Sequence, residues 1–250
     1  MNWIYLSPHL DDAVYSCGGL IYQQVLQGSR VEVWTLFAGQ PGEEDVSDFA
    51  RQLHTRWDSG PDPVTLRREE DTEACGLIGA NPRHFDYLDC IYRRDPQSGK
   101  FMYQSDQDLF GGIHSGDQKL LDQLVSSLQE EIPDHCTVAA PLGIGNHVDH
   151  DLVRKAASRL DREVVYYADY PYLRDPDGIS TLQYMAGSAD WDEMRTELSS
   201  GAIREWISAA AAYRSQLSSF WEDQKNLEAE IQTLARGDWG GTLWKTLEEE

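Results

Sequence analysis

The stretch WIYLSPHLDDAVYSCGGLIYQQVLQGSRVEVWTLF (Trp3–Phe37) decides the fold of this 250-residue chain. Trp3–Leu6 is a short apolar run that ends at a Ser-Pro pair, which is typical of a buried strand. Asp12–Gln27 has the apolar spacing of a helix, and Gly28 ends it. Val31–Phe37 is rich in β-branched and aromatic residues and predicts a second buried strand. Strand, helix and strand in close succession predict a βαβ unit and a sheet that is at least partly parallel.

The alternation continues beyond this unit. Further strands are predicted at residues 84–88, 137–142 and 164–167, and further helices at 65–77, with Thr65 as N-cap, at 120–128 and at 152–160. One long helical region is predicted at about 202–234. The pattern predicts a three-layer α/β domain on which the C-terminal helices pack.

Acidic residues outnumber basic residues, with 43 Asp and Glu against 21 Lys and Arg, and the formal net charge is −22. Duplex DNA and RNA would be repelled by this charge, which excludes nucleic acid as a partner. Anionic membrane surfaces are disfavoured for the same reason. The plainest interpretation of the charge is solubility.

Neither a membrane span nor a secretory signal is predicted. No apolar run approaches the roughly 18 residues that a span needs, and the first residues lack a basic start and a long apolar stretch. The four cysteines, Cys17, Cys75, Cys90 and Cys136, are too far apart for a disulfide framework or a thiolate metal site. We therefore expect a cytoplasmic protein with reduced thiols, in which His and carboxylate side chains bind any metal.

Two polar clusters directly follow predicted strands. The first is PHLDD (Pro8–Asp12), after the first strand, and the second is GIGNHVDH (Gly143–His150), after the strand that ends at Leu142. In open α/β sheets, ligands bind at the carboxyl ends of the strands. We therefore expect both clusters to face one crevice.

The side chains in these clusters are those that a catalytic zinc site uses, namely three protein ligands and one open position for water. His9 and Asp12 are three residues apart around a tight turn, and the third ligand is either His147 or His150. Asp11 is then a spare carboxylate beside the activated water, where a general base is needed. The remaining histidine can stay protonated, stabilise an oxyanion and donate a proton to the leaving amine.

Each cluster also has a purely structural interpretation. An Asp at a helix start, such as Asp11 or Asp12, is often only an N-cap, and a lone His after a strand is usually an ordinary loop residue. The two clusters together also fit a structural cation. Their coincidence at two strand ends of one α/β chain favours the catalytic interpretation.

The motifs resemble those of the PIG-L family, also called LmbE-like proteins, which are zinc-dependent N-deacetylases. HLDD (His9–Asp12) is similar to the family's HPDD, and HVDH (His147–His150) is similar to its HPDH, with leucine and valine replacing the two prolines. Weaker similarities are R-x-x-E-x-x-x-A-x-x-x-I-G at residues 67–79, an Asp after a strand at residue 89, and Y-x-S-Q at residues 213–216. The resemblance covers most of the chain and implies a single deacetylase domain over residues 1–250.

This resemblance implies a Rossmann-like sandwich with a mostly parallel sheet and a helical C-terminal region, about residues 202–250, packed on it. It implies Zn²⁺ as the cofactor and homo-oligomerisation. It assigns roles to five residues: His9, Asp12 and His150 as zinc ligands, Asp11 as the general base, and His147 as the group that stabilises the oxyanion or acts as an acid.

Arg67 and Asp89 match positions that contact substrate hydroxyls in sugar-processing members of the family. The residues themselves leave alternatives open. Arg67 is also spaced to form an ion pair with Glu70 on a helix surface, and Asp89 is also typical of a turn.

Some family members have a tyrosine at the position of Gly145. Aromatic residues on a strand more often belong to the core, but three tyrosines are candidates to replace the missing one: Tyr166, Tyr167 and Tyr170.

The sequence therefore predicts a zinc-dependent hydrolase that removes an N-acetyl group from an amino-sugar conjugate or a related small metabolite. Acetate and a free amine are the products. One rival is a non-catalytic metal- or sugar-binding protein that retains the fold, and another is an amidase acting on a thiol or peptide-derived metabolite. Asp11 argues against the first rival, because a pure binder needs no base beside the metal site.

The long polar connections at residues 39–63 and 93–114 are expected to shape the pocket.

Overall fold

A single mixed sheet forms the centre of the molecule. The computed structural model describes residues 1–57, 60–188, 190–237 and 239–247. The strands in these ranges are β1 Asn2–Ser7, β2 Arg30–Thr35, β3 Asn81–His84, β4 Cys136–Pro141, β5 Val164–Tyr167, β6 Trp191–Arg195 and β7 Thr242–Thr246. Their order across the sheet is β3-β2-β1-β4-β5-β7-β6. Strands β1 to β5 pair in parallel, whereas β7 is antiparallel to both β5 and β6, so the predicted mostly parallel sheet is confirmed.

Helices cover both faces of this sheet. The helices in the described ranges are α1 Asp12–Leu26, α2 Asp48–Arg56, α3 Pro63–Leu77, α4 Asp106–Leu109, α5 Gln118–Glu131, α6 Val148–Ala157, α7 Pro176–Ala186, α8 Ser200–Ala211, α9 Arg214–Phe220 and α10 Gln224–Arg236. Buried side chains of α1, α3, α8 and α10 form the core on one face, and those of α5, α6 and α7 form the core on the other. Side chains of β1 alternate between the two cores, with Tyr5 in the first and Leu6 in the second. This is the predicted three-layer sandwich.

The strand order reverses at β1, which lies between β2 and β4. The chain leaves β1 towards β2 on one side and later returns to β4 on the other. The first residues of β1 and β4 pair directly, Asn2 with Cys136, so the two strands run together towards one edge. The crevice outside such a point of reversal is the usual ligand site of open α/β sheets.

Two predicted boundaries differ from the structure. The strand predicted at residues 84–88 is β3, which ends at His84, because residues 81–84 pair with β2. Pro82 and the polar residues around it hide this strand from an apolar pattern. Helix α3 begins at Pro63 rather than after Thr65, since the carboxylate of Asp62 accepts a hydrogen bond from the Thr65 backbone N–H.

Two longer predictions also need correction. The connection at residues 39–63 contains α2, whose first turn is capped by the Ser47 hydroxyl. The single helix predicted at about 202–234 is three helices, α8 to α10, and the predicted helical C-terminal region also contains β7. Strand β7 has only five residues, and β6, with which it pairs, is mostly exposed and polar. Neither segment therefore shows a clear strand pattern in the sequence.

Close packing of α1 against α8 fixes the C-terminal helices on the sheet. Trp206 is fully buried, and its indole Nε1 donates a hydrogen bond to the carbonyl of Val14 at 2.7 Å. The indole lies directly over Gly18, where an added Cβ would approach Trp206 Cδ1 to 2.5 Å. Glycine is therefore required at this position for steric reasons.

We predict that Gly18→Ala lowers the free energy of unfolding by about 1–3 kcal/mol, the usual effect of overpacking a core. The matched control is Gly76→Ala in α3, because a Cβ at Gly76 would meet nothing within 4 Å. This control should raise the free energy of unfolding by about 0.4–1 kcal/mol. Urea titration of both variants measures the difference, and equal stability of the two would contradict the packing argument.

Candidate metal centre and active site

The two polar clusters meet at the carboxyl edge of β1 and β4, as predicted. Three histidine rings come together there, and the ring centroid of His9 lies 5.0 Å from that of His147 and 5.5 Å from that of His150. His9 follows β1, whereas the other two flank the start of α6. Adjacent parallel strands therefore bring together residues that are about 140 positions apart.

The carboxylate of Asp12 lies between two of these rings. Its Oδ2 atom is 3.1 Å from His9 Nδ1 and 3.3 Å from His150 Nε2. The backbone N–H of His9 donates a hydrogen bond to the same oxygen at 2.8 Å, which fixes its position. Ligands about 2.0–2.1 Å from a tetrahedral zinc ion are roughly 3.3–3.4 Å from one another. Each of these two contacts is therefore close to the separation expected between two ligands of one small cation.

The outer nitrogens of the two rings are held by further carboxylates. His9 Nε2 lies 3.0 Å from Asp149 Oδ2, and His150 Nδ1 lies 2.6 Å from Asp169 Oδ1. Asp169 in turn accepts hydrogen bonds from the backbone N–H groups of Gly143 and Ile144. Metal-ligating histidines usually have such partners, which fix the tautomer and leave the inner nitrogen free to bind.

Asp149 and Asp169 were not predicted as site residues. Asp149 stands inside the HVDH motif, and Asp169 lies two residues beyond the end of β5, the strand next to β4. The sequence does contain a signal for Asp169: it is a polar residue that follows β5, the third adjacent strand whose carboxyl end lies at this edge of the sheet. Both side chains are fully buried, so they serve the site and not the surface.

Charge also favours a cation at this position. Burial favours the neutral form of His150, but the carboxylates of Asp12 and Asp169 outweigh it and raise its pKa to about 10. Asp11 and Asp149 add further negative charge within the same buried region. A divalent cation fits a set of donors with this surplus of carboxylates.

Other groupings of donor atoms exist among the described residues. His9, His147 and His150 each offer an atom within 4.8 Å of the others, and so do the sets Cys90, His147 and Asp149, and His9, Asp89 and Asp149. We prefer Asp12 to His147 as the third ligand. Asp12 already touches both other ligands, whereas His147 Nδ1 accepts a hydrogen bond from the backbone N–H of Asp149.

Asp11 is not used to cap α1. It occupies the N-cap position but makes no capping hydrogen bond, since the hydroxyl of Ser7 accepts from the Ala13 backbone N–H at 3.0 Å instead. Its Oδ2 lies 3.5 Å from Arg67 Nη2. Burial raises the pKa of Asp11 to about 7, against the opposing charge of Arg67. A carboxylate with this pKa can take up and release a proton near neutral pH.

His147 does not have the protonation state that the sequence suggested. Its ring caps α6, with Nδ1 accepting from the Asp149 backbone N–H at 3.2 Å, so a proton on that atom is excluded. Burial, together with the neighbouring His9 ring, lowers the pKa of His147 to about 3. The prediction of a protonated ring is therefore wrong. The ring is neutral and carries its proton on Nε2, which makes it a hydrogen-bond donor.

Arg67 lies in the site and does not form the alternative ion pair with Glu70. Its guanidinium approaches Asp11 and stacks over the ring of Trp57, with 4.9 Å between the guanidinium carbon and the ring centroid. Glu70 instead accepts hydrogen bonds from the backbone N–H and the hydroxyl of Ser215, at 3.0 and 2.6 Å.

Asp89 lies in a turn and also lines the cavity. Its carboxylate accepts a hydrogen bond from the Ile91 backbone N–H, as a turn residue does. The same carboxylate lies 3.7 Å from His9 Nε2 and faces the cavity. Asp89 is therefore available to a ligand bound beside His9.

A cavity of about 430 Å³ opens onto these residues. Both long polar connections contribute to its walls, through Trp57 from the first and Asp106 and Phe110 from the second, which confirms that they shape the pocket. Tyr172 and Phe220, which were not predicted, complete the aromatic part of the wall. Aromatic rings beside polar groups are typical of sites for small ligands.

The proposed replacements for a tyrosine at Gly145 are wrong. Tyr167 donates a hydrogen bond from its hydroxyl to the carbonyl of Leu6, and Tyr166 and Tyr170 pack in the cores. Tyr172 is the residue that fills this space, because a Cβ at Gly145 would overlap its ring. Glycine at 145 therefore makes room for an aromatic side chain that comes from another part of the chain.

The weaker sequence motifs join behind the site. Tyr213 donates a hydrogen bond to Asp71 of α3 at 2.6 Å, and the adjacent Ser215 bonds to Glu70 of the same helix. These buried contacts fix α9 against α3. Gln216 and Phe220, which line the cavity, are positioned by them.

Comparison with known proteins agrees with this geometry. The family model PIG-L, described as GlcNAc-PI de-N-acetylase, matches residues 4–160. The chain is 31% identical to a 2'-N-acetylparomamine deacetylase of Niallia circulans, over 68% of this chain and 67% of that protein. It is 24% identical to a protein of the same description from Streptomyces fradiae, over 85% of this chain and 72% of that protein.

Solved structures of deacetylases share the fold. The zinc-inhibited form of teicoplanin deacetylase Orf2 superposes with a TM-score of 0.77 at 26% identity, covering 100% of this chain and 99% of that chain. The A40926 pseudoaglycone deacetylase Dbv21 gives a TM-score of 0.70 at 26% identity, covering 99% and 98%. The chain belongs to the PIG-L family, and the predicted family, fold and class of enzyme, a deacetylase, are confirmed.

The helices of the described residues include none that is both long and apolar enough to cross a membrane.

We predict that neighbouring carboxylates differ in their effect on metal binding. Asp12→Asn should lower the zinc content of the protein strongly, because the amide loses the charge that faces both rings. Asp11→Asn should keep about one zinc per chain, the content expected for a site of this kind, since Asp11 contacts Arg67 and neither ring. Elemental analysis after dialysis measures both. Equal loss in the two variants would contradict the ligand assignment.

Proposed function

We propose that this protein is a zinc-dependent N-deacetylase that acts on an N-acetylated amino-sugar conjugate. The observation that carries the proposal is the carboxylate of Asp11. It is buried beside the donor atoms of His9, Asp12 and His150, it caps no helix, and burial raises its pKa to about 7. A base of this kind next to a cation site is what hydrolysis of an amide requires.

The relatives support the class of substrate. The similar proteins include deacetylases of 2'-N-acetylparomamine and of teicoplanin, and the first of these is named for an N-acetylated amino sugar. The partner we propose for this chain is likewise a small N-acetylated molecule. The acidic chain, with its net charge of −22, makes a neutral or cationic substrate more favourable than an anionic one.

Zinc is the ion we propose for the site. When bound by His9, Asp12 and His150, a zinc ion would lower the pKa of a water molecule towards 7 and polarise the acetyl carbonyl. The donor set of two imidazoles and one carboxylate matches that of catalytic zinc sites.

Asp11 and His147 have complementary roles in the proposed reaction. Asp11 takes a proton from the attacking water as it adds to the acetyl carbon. His147 donates a hydrogen bond from Nε2 to the oxygen of the tetrahedral intermediate, and it does so as a neutral imidazole because its low pKa keeps the ring from gaining a second proton. Asp11 then returns its proton to the amine as the carbon–nitrogen bond breaks. Acetic acid and the free amine leave, the acid gives its proton to solvent and becomes acetate, and Asp11 is again ionised.

Arg67 and Asp89 are proposed to bind the sugar. Arg67 is held by stacking on Trp57 and lines the cavity. The ring of Phe110 packs edge-on to His147 at 5.6 Å and adds an apolar surface to the same cavity. The hydroxyl groups of a sugar ring can form hydrogen bonds with Arg67 and Asp89, and its apolar face can pack against Phe110.

Two rival functions are less well supported. A binding protein without activity needs no base, yet Asp11 is buried and makes no capping hydrogen bond. An amidase for a thiol or peptide-derived metabolite would use the same chemistry, so the choice depends on the substrate alone. We propose a cytoplasmic location, which the free thiols of all four cysteines support. Homo-oligomerisation stays a prediction.

The direct test of the function is a screen for released acetate. Purified protein is incubated with N-acetylated amino sugars, N-acetylated cysteine conjugates and N-acetylated peptides, each with and without a chelator. The proposal expects acetate from the amino sugars, loss of activity with chelator, and recovery with Zn²⁺. Activity confined to the cysteine or peptide substrates would favour the amidase.

We predict that Asp11→Asn lowers kcat by about 10²–10⁴, the usual contribution of a general base. Metal content should be unchanged, which separates loss of the base from loss of the ion. Steady-state kinetics with the best substrate of the screen measure the effect. Near-normal turnover in a zinc-loaded Asp11→Asn variant would show that another group accepts the proton.

A further prediction concerns the hydrogen-bond donor. His147→Ala should keep its zinc and lower kcat by about 10²–10³, with a smaller change in KM, since the bond forms mainly in the transition state. His150→Ala should instead lose zinc and activity together. Zinc lost from the His147 variant and kept in the His150 variant would mean that the two roles are exchanged.

A further inference from the structure

A buried guanidinium that the proposed reaction does not use lies behind the metal centre. The side chain of Arg93 is 7% exposed and sits between two buried carboxylates. Its Nη1 atom is 2.7 Å from Asp149 Oδ1, and its Nη2 atom is 3.0 Å from Asp117 Oδ2. Nη1 also donates a hydrogen bond to the carbonyl of Leu88 at 3.1 Å. One side chain therefore forms ion pairs with two buried acids and a hydrogen bond with a loop carbonyl.

The first acid that pairs with Arg93, Asp149, also contacts His9, a proposed zinc ligand. Asp149 has its Oδ2 atom 3.0 Å from His9 Nε2, and the same oxygen accepts a hydrogen bond from the Cys90 backbone N–H. The other oxygen faces Arg93. A fully buried carboxylate needs a compensating charge to remain in place. Arg93 supplies that charge, and so it fixes the ring of His9 through Asp149.

The second acid that pairs with Arg93, Asp117, anchors the connection at residues 93–114. Asp117 follows this segment and accepts a hydrogen bond from the hydroxyl of Tyr103, in its middle, at 2.7 Å. The Tyr103 hydroxyl accepts in turn from the backbone N–H of His114 at 2.9 Å. The segment carries Phe110 to the wall of the cavity. Arg93 thus joins the base of the pocket wall to the metal centre.

We propose that Arg93 is a positioning residue that sets the cation affinity of the site by holding Asp149 against His9. This inference rests on the proposed function, because it takes His9 as a cation ligand. Carboxylates that orient a ligating histidine typically contribute about 10–100-fold to metal affinity. We expect metal affinity to depend also on Arg93, because Arg93 pairs with the carboxylate that orients His9.

The test measures Zn²⁺ affinity of the full-length chain, stripped of metal, by competition with a chromophoric chelator. Arg93→Met should raise the Kd for Zn²⁺ by about 10–100-fold, the range for loss of a partner to a ligating histidine. The matched control is Arg94→Met, the same substitution one residue away. Arg94 pairs with Asp45 at 2.9 Å and stacks on Phe101, and it contacts no site residue among those described. Its Kd should stay close to that of the unmodified protein.

Arg93→Lys supplies a second measurement, because Arg93→Met leaves two buried acids uncompensated and is expected to be less stable. The lysine keeps the charge, but one ammonium group cannot replace the fork that reaches both carboxylates. The Kd of Arg93→Lys for Zn²⁺ should lie between the values for the unmodified protein and for Arg93→Met. If Arg93→Met does not fold, the comparison is with the unmodified protein alone, and the Kd of Arg93→Lys should be clearly higher. The visible spectrum of the Co²⁺-loaded variant should change as the coordination of His9 is disturbed.

Three outcomes separate the claims. A normal Kd in Arg93→Lys, or in a folded Arg93→Met variant, would overturn the inference and leave the proposed function intact. A raised Kd in Arg93→Met with an equal rise in Arg94→Met would also overturn it, since the effect would then be general destabilisation. An unmodified protein that binds no Zn²⁺ would reject the proposed function, and this inference with it.

Discussion

The site is built around the Asp12 carboxylate, whose one oxygen touches both His9 Nδ1 and His150 Nε2. This contact exists because β1 and β4 are adjacent parallel strands that end at the same edge of the sheet. The backbone N–H of His9 holds the oxygen in place, and Ser7 caps α1 so that neither aspartate of the motif is needed for that purpose. The other polar residues of the site are arranged around this point.

The environment of each acid in the site determines its role. Asp12, between two imidazoles, has a pKa well below its usual value despite its burial, because the charge and hydrogen bonds of His150 and His9 favour the ionised form. Asp11, its neighbour in sequence, has Arg67 as its closest cation at 3.5 Å, and burial raises its pKa. One acid is thereby suited to bind a cation and the other to exchange a proton. Asp149 and Asp169 serve neither purpose directly, since each orients a histidine.

The pocket wall draws on segments that are irregular in sequence. Leu53 of the first connection and Tyr103 of the second belong to one small core, which also includes Ile91 and, at the start of α6, Val148. Val148 stands between His147 and His150, so this core lies next to the proposed metal site, and the pocket wall and the proposed ligands share one packed unit. Trp57, which follows α2 directly, packs against this core, so this part of the cavity wall is held by tertiary contacts.

The sequence by itself determined the parallel sheet, the three layers and the two motifs at strand ends, because apolar periodicity and turn residues act locally. It also limited the metal donors to histidine and carboxylate. Tertiary structure alone decided that His147 is neutral, that Glu70 bonds to Ser215 and not to Arg67, and that Tyr172 fills the space beside Gly145. The bond of His9 to Asp149 spans 140 residues, and that of Glu70 to Ser215 spans 145. Contacts at such separations follow from how helices and loops pack, which no local pattern records.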